Sequence, residues 1–294
     1  MIWVALALVC AFSLASADAL TKKYLSDYSA LEITAVRFVW TGALLVPWIL
    51  AMPWPDPPPA FWGWMAAMAP LDVLGLWLYM RALRIAPLHD TVPYLAFTPV
   101  FTAVTGRVLL GEELSATGMA GVVLVALGGY LLNALDTHSS PRHGLLAPVR
   151  RMFSQPGPRL MLSVAAIYSL TAVIGKATVG HAPPRFVGAM YFVVLGALTL
   201  AGLATTRPAA LPALLRRPRA HAAIAACYAV MVVTHFIALD FVATAYMISV
   251  KRTSLLFGIV YGALLFGEPR LARHLLIGTI MVAGVALIVA TPGP

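Results

Sequence analysis

Ten stretches of roughly 20 residues, each nearly free of charge, follow one another along the chain and leave room only for short polar breaks. At 1.5 Å of rise per residue, a helical stretch of that length covers the ~30 Å hydrocarbon core of a bilayer. The spacing predicts helices over about 2–21, 31–51, 61–83, 89–110, 116–135, 160–180, 186–205, 220–240, 244–266 and 274–291. Lipid offers a backbone amide no partner beyond its own helix or a closed barrel. The short alternating segments of a barrel do not occur. The expected fold class is therefore an all-α integral membrane protein of ten transmembrane helices.

Charge supports this reading, because only 11% of residues are charged, against about a quarter in soluble domains. The 20 Lys and Arg outnumber 11 Asp and Glu, which in a membrane chain reflects its cytoplasmic loops and not nucleic-acid binding. Cys10 and Cys227 fall inside apolar spans and suggest neither a disulfide framework nor a metal site. Ala15 and Ala17 resemble a signal-peptidase site, yet no basic residue precedes them and the apolar run continues, so the first span is expected to stay as a helix.

The chain also repeats itself. At an offset of 156, "VLLGEE" from Val108 lies over "LLFGEP" from Leu264, Thr98 over Ser254, Phe101 over Phe257 and Gly106 over Gly262. At an offset of 154, Gly42 falls on Gly196 and Lys22 on Lys176. Two five-helix units are expected at 1–136 and 159–294, joined by a Pro-, Ser- and Arg-rich cytoplasmic linker at 137–158. Five is odd, so the second unit enters the membrane from the opposite side. This is the inverted-repeat plan of many transporters, whose sites lie where the halves meet. Fourteen of the 20 Lys and Arg belong to the odd-numbered loops, and the positive-inside rule then leaves both termini outside.

Stretches such as "YLAFTPVFTAVTGRVLLGEELS" and "YMISVKRTSLLFGIVYGALLFGEP", followed by "GVVLVALGG" and "GTIMVAG", resemble the EamA family of the drug/metabolite transporter (DMT) superfamily. The resemblance covers nearly the whole chain. It implies an inner-membrane permease or exporter of small metabolites, in a family whose members move amino acids, nucleotide sugars, drugs or lipid-linked sugars. Its characterised relatives are drawn with cytoplasmic termini, and here the loop charges argue for the reverse.

A charge at the middle of a span costs about 2.5–3.5 kcal/mol on insertion scales, so each one needs a partner, a cavity or an escape route. Asp18 and Lys22 stand four apart on the first helix, acid before base, and can pair. Asp18 is alternatively a proton-coupling carboxylate, as the resemblance to small multidrug resistance relatives implies. Arg37 either snorkels or clamps a substrate anion. Asp72, the deepest acid, either pairs with a basic residue on another helix or faces the bundle interior. Tyr79 and His235 occupy matching repeat positions, and so do Tyr94 and the stretch beside Lys251. Pro87, Pro93 and Pro99 predict a broken fourth helix, with carbonyls freed beside Thr91, Tyr94 and Thr98. Lys176, Tyr246, Lys251 and Arg252 complete the candidate set. Adjacent residues of one helix point about 100° apart, so Lys251 is assigned to substrate or Asp72 and Arg252 to the interface or a neighbouring helix. Glu112 and Glu268, at helix ends, are read as structural.

No phosphate loop GxxxxGK[ST] occurs, which argues against ATP hydrolysis by the chain. Nor does the sequence cluster the His, Asp, Ser or Cys of a membrane-embedded enzyme, and a scaffold would not need buried charge. No cofactor and no catalytic residue is expected. The interior set is net basic, which favours a cargo bearing a carboxylate or phosphate, such as an amino acid or organic acid. The alternatives are an exporter of cationic or hydrophobic drugs and a flippase for a lipid-linked substrate. The partners expected are this small molecule, membrane lipid and a coupling proton, with the chain a monomer or homodimer.

Overall fold

Proline and short capping side chains decide where the apolar runs become helices. The computed structural model describes residues 2–85, 92–134, 155–267 and 271–290. Helix α1 (Ile2–Tyr24) leads to α2 (Ala30–Leu50), which opens on a capping box: Ser29 Oγ accepts from Glu32 N at 3.2 Å and Glu32 Oε2 from Ser29 N at 2.6 Å. Helices α3 (Pro59–Ile85), α6 (Pro156–Val179), α7 (Pro184–Thr206) and α8 (Pro218–Phe241) each begin on proline. The fixed φ and missing N–H of proline suit that first position.

The expected fourth and ninth spans are each interrupted. A 3-10 turn over Val92–Phe97 precedes α4 (Thr98–Leu110), as the proline spacing predicts, with Pro87 and Thr91 outside the described residues. The ninth span, expected as one helix over 244–266, is instead α9 (Thr244–Lys251) and α10 (Ser254–Phe266) separated by Arg252 and Thr253. Helices α4 and α10 both end on the glycine of the repeated Gly-Glu, in left-handed backbone with φ of 67° at Gly111 and 65° at Gly267. A Cβ is disfavoured there, which accounts for the glycine in both copies. After them come α5 (Ala116–Ala134) and α11 (Leu271–Ala290).

Packing brings the two halves of the chain together. Helix α1 packs on α8 and α3 on α6, while α2 crosses α7 and α5 crosses α11. At the α2–α7 crossing, a Cβ on Gly42 would lie 2.6 Å from Phe192 O, and one on Gly196 2.8 Å from Phe38 O. The glycines, and the phenylalanines they meet, are each separated by the offset of 154. Bare backbone at such a crossing lets helices approach closely enough for dispersion to hold them where lipid supplies no hydrophobic drive.

Loops meet in two groups. The α1–α2 loop is tied to the segment before α8, where Arg217 donates to Asp27 at 2.8 Å and Tyr28 Oη lies 3.2 Å from His221 Nε2. The α4–α5 loop instead reaches the α8–α9 connection, as set out below. Seven helical runs among the described residues are long and apolar enough to cross a membrane, and Tyr94–Leu110, Ala116–Leu131 and Gly278–Ala290 are shorter apolar helices. No strand occurs among the described residues. The chain is thus an all-helical integral membrane protein. Nearly all of the linker expected at 137–158 lies outside the described residues.

Candidate functional site

Between α2, α3, α6, α7, α8 and the α9–α10 break lies a cavity of about 140 Å³. Its polar wall is made by Asp72, Tyr168, Tyr191, Tyr228, His235, Lys251 and Arg252, and rings of Phe38, Phe192 and Phe236 supply apolar wall. This volume is close to that of an engineered cavity that admits benzene, room for on the order of six to ten non-hydrogen atoms.

Two successive cations stand at the break and reach one space. Arg252 N–H bonds Ile248 O and Ser249 O at 3.1 Å, and Thr253 N–H bonds Val250 O at 3.0 Å. Leu255 N–H then bonds Arg252 O at 3.0 Å. These three-residue bonds tighten the chain into a 3-10 turn, and the Thr253 hydroxyl takes Val250 O at 2.7 Å as well. A 3-10 turn sets successive side chains about 120° apart, so the tightening does not itself align the two cations, and their long side chains reach the same space from different directions. Lys251 and Arg252 both line the cavity, and Arg252 is only 7% exposed. Assigning Arg252 to the membrane interface is corrected accordingly.

Arg37 is likewise no snorkelling side chain. It is 2% exposed and donates to Asp18 Oδ1 at 2.6 Å, Tyr228 Oη at 2.7 Å and Thr21 Oγ1 at 2.9 Å. Arg37 is absent from the cavity wall, which it touches only through Tyr228. Asp72 accepts a hydrogen bond from the Tyr191 hydroxyl, not from a basic residue, through Oδ2. These two bonds are related. Tyr191 stands 154 positions after Arg37 and Tyr228 stands 156 after Asp72, so exchanging the halves turns the Arg37–Tyr228 bond into the Tyr191–Asp72 bond.

The remaining candidates separate from the cavity. Lys22 Nζ lies 4.3 Å from the Phe266 ring centroid, and the Lys176 ammonium donates to Leu239 O and Val242 O, satisfying carbonyls at the end of α8. Tyr94 is buried against Ala82 and Met161, and Tyr79 packs beside the same cluster. Tyr246 Oη accepts from Ser115 N at 3.2 Å. Its neighbour Thr244 donates its N–H to both Glu112 carboxylate oxygens at 3.0 Å and its hydroxyl to Oε1 at 2.8 Å. Glu112 thus caps the start of α9, where negative charge suits the helix dipole. Glu268, its repeat partner, lies outside the described residues. Of the eleven sequence candidates, Asp72, His235, Lys251 and Arg252 come together on the wall. Tyr168, Tyr191 and Tyr228 are wall residues the candidate set omits. The repeat offset itself could have found two of them, since it lays Tyr191 over Arg37 and Tyr228 over Asp72. Among the described residues no group of three or more His, Cys, Asp or Glu stands close enough to hold a metal ion.

A partly open cavity between membrane-length helices from both halves, apolar over most of its wall and set with a few charged groups, defines the class: a polytopic helical membrane protein with an internal binding space. Residues 1–134 match the model of the EamA-like transporter family, the family that the sequence stretches above resemble. A solved structure titled only "Crystal structure of protein" is similar in fold, with a TM-score of 0.65 at 16% identity over 97% of this chain and 94% of that one. None of the curated proteins matches.

Proposed function

We propose that the protein is a secondary transporter that moves a small carboxylate- or phosphate-bearing metabolite across a bacterial-type inner membrane by alternating access. The observation that carries this is that Lys251 and Arg252, at the α9–α10 break, both line one cavity, where Asp72 is the acidic wall residue. The wall sets two basic side chains against one acidic one, and a buried excess of that sign is stabilised by an anion. Arg252 adds a planar fork suited to a carboxylate or phosphate.

On this reading the three shorter apolar helices complete ten crossings with the seven longer ones. Residues 1–136 and 159–294 are then inverted repeats, joined by a cytoplasmic linker. Four observations support the duplication: the paired left-handed glycines, the reciprocal Gly42 and Gly196 contacts, the interrupted fourth and ninth spans, and the exchanged Arg37–Tyr228 and Tyr191–Asp72 bonds. Loop contacts join odd with odd (Arg217 to Asp27) and even with even (Glu112 to Thr244). That agrees with one basic face, which the positive-inside rule makes cytoplasmic, with both termini outside. A proton is the coupling ion in this scheme, carried by Asp18, which communicates with the cavity through Arg37 and Tyr228.

Counterflow into proteoliposomes tests the reading. A panel of organic acids, amino acids and phosphate esters is expected to contain solutes that exchange in a protein-dependent manner. Movement of cationic dyes with no exchange of any acid or phosphate ester would refute it.

A further inference from the structure

Four buried side-chain polar atoms lack a hydrogen-bond partner among the described residues, and three of them are on the cavity wall: Asp72 Oδ1, His235 Nδ1 and Arg252 Nε. An unmade hydrogen bond at a buried group costs about 1–3 kcal/mol, more where charge is involved. Three such groups converging on one space, with Arg252 7% and His235 9% exposed, describe a binding surface whose partner is the cargo.

The chemistry of these atoms is not uniform. Arg252 Nε–H only donates, and Lys251 beside it only donates. An ionised Asp72 only accepts, and since Oδ2 is taken by the Tyr191 hydroxyl, Oδ1 is the oxygen left over. A plain anion satisfies the cations and leaves the carboxylate unpartnered beside it. A plain cation does the opposite. The acidic and basic groups also come from different halves, Asp72 from α3 and Lys251 with Arg252 from the α9–α10 break.

We infer that the cargo is a small zwitterion. Its anionic group is held by Lys251 and Arg252, its ammonium by Asp72 Oδ1, and its apolar body by the rings of Phe38, Phe192 and Phe236. The inference rests on the anion-binding reading above and adds the requirement for a cationic donor. The cavity of about 140 Å³ suits a molecule of amino-acid size.

The test compares matched solutes in wild-type proteoliposomes: the common amino acids and taurine, each set against the acid lacking its nitrogen and the amine lacking its anion, as in leucine, 4-methyl-2-oxopentanoate and 3-methylbutylamine. At least one zwitterion is expected to exchange tenfold or more faster than both of its counterparts. Asp72→Asn, checked for a monodisperse elution profile, should erase the advantage over the acid, and Asp72→Glu should keep part of it. If the acids exchange as well as their zwitterions, or if Asp72→Asn leaves the preference intact, the zwitterion inference falls while anion transport stands. Exchange of amines alone would remove both. Failure of every zwitterion while other acids exchange would overturn this inference only.

Discussion

Arg37 shows how a membrane span can carry a full charge. Its guanidinium spends its donors on Asp18, Thr21 and Tyr228, so its desolvation is offset by charge-assisted bonds. Replacing it with Met leaves Asp18 and Tyr228 unpaired. Because the Asp18 side chain is 39% exposed, the loss should be about 2 kcal/mol, below the 3–5 kcal/mol of a fully buried pair. A thermal unfolding scan in detergent should show the midpoint of Arg37→Met falling, and that of Arg37→Met with Asp18→Asn partly recovering. No recovery would mean that the pair is not the source of the loss. Tyr191→Phe is expected to weaken cargo binding several-fold while leaving the protein folded, since it removes the hydroxyl that holds Asp72 Oδ2 in place. Direct titration of a transported solute checks this, and unchanged affinity would contradict it. Which polar side chains sit inside helices is readable from the sequence, but their pairing is not. Asp18 has Lys22 four residues away, yet its 2.6 Å partner is Arg37 on the next helix, because tertiary packing brings that guanidinium within hydrogen-bond reach, which local spacing does not reveal.

At the scale of elements, the Gly-Glu ending is a joint between halves. Gly111 turns the chain with positive φ, and Glu112 then reaches Thr244 to cap α9, the helix that ends at Lys251. Removing the cap should loosen the break that aims the two cations. Glu112→Ala is expected to cost about 1 kcal/mol and to lower transport, whereas Glu112→Gln, which keeps an acceptor for Thr244, should retain most activity. Equal loss in both variants would assign Glu112 a role through its charge instead. The Gly-Glu register, the spans and the fourth-helix interruption are all legible in the sequence, since glycine and proline carry their backbone preferences wherever they stand. The break after Lys251 is not. "KRTS" contains neither glycine nor proline, and the turn depends on a threonine hydroxyl bonding a carbonyl three residues back, an option many helical threonines leave unused. The angle between adjacent residues also misleads, because it ignores the reach of two long side chains, and Lys251 and Arg252 line one cavity despite it.

Across the whole molecule, the halves share a framework and divide the chemistry. The close crossing of α2 and α7 relies on Gly42 and Gly196 facing backbone carbonyls. Gly42→Val should drive the helices apart and abolish the monodisperse protein peak in detergent, while Gly202→Val, with open space around its Cβ position, should be tolerated. If both variants behave alike, the crossing is not the constraint described here. On the duplication proposed above, the offset predicts the framework because paired glycines, Gly42 with Gly196 and Gly111 with Gly267, solve the same backbone problem twice. It does not predict the site in full, since Arg37 and Asp72 belong to the first half and their counterparts are Tyr191 and Tyr228. Charge at the wall is therefore asymmetric: the acid comes from α3 and the cations from the α9–α10 break.

That asymmetry is the centre of the account, and cargo affinity in single charge-removed variants tests it most directly. Lys251→Gln and Arg252→Gln are each expected to weaken binding of a transported solute by tenfold or more, in protein that elutes as wild type, because both side chains face the same cavity. A tenfold loss in one variant with wild-type affinity in the other would contradict the shared site.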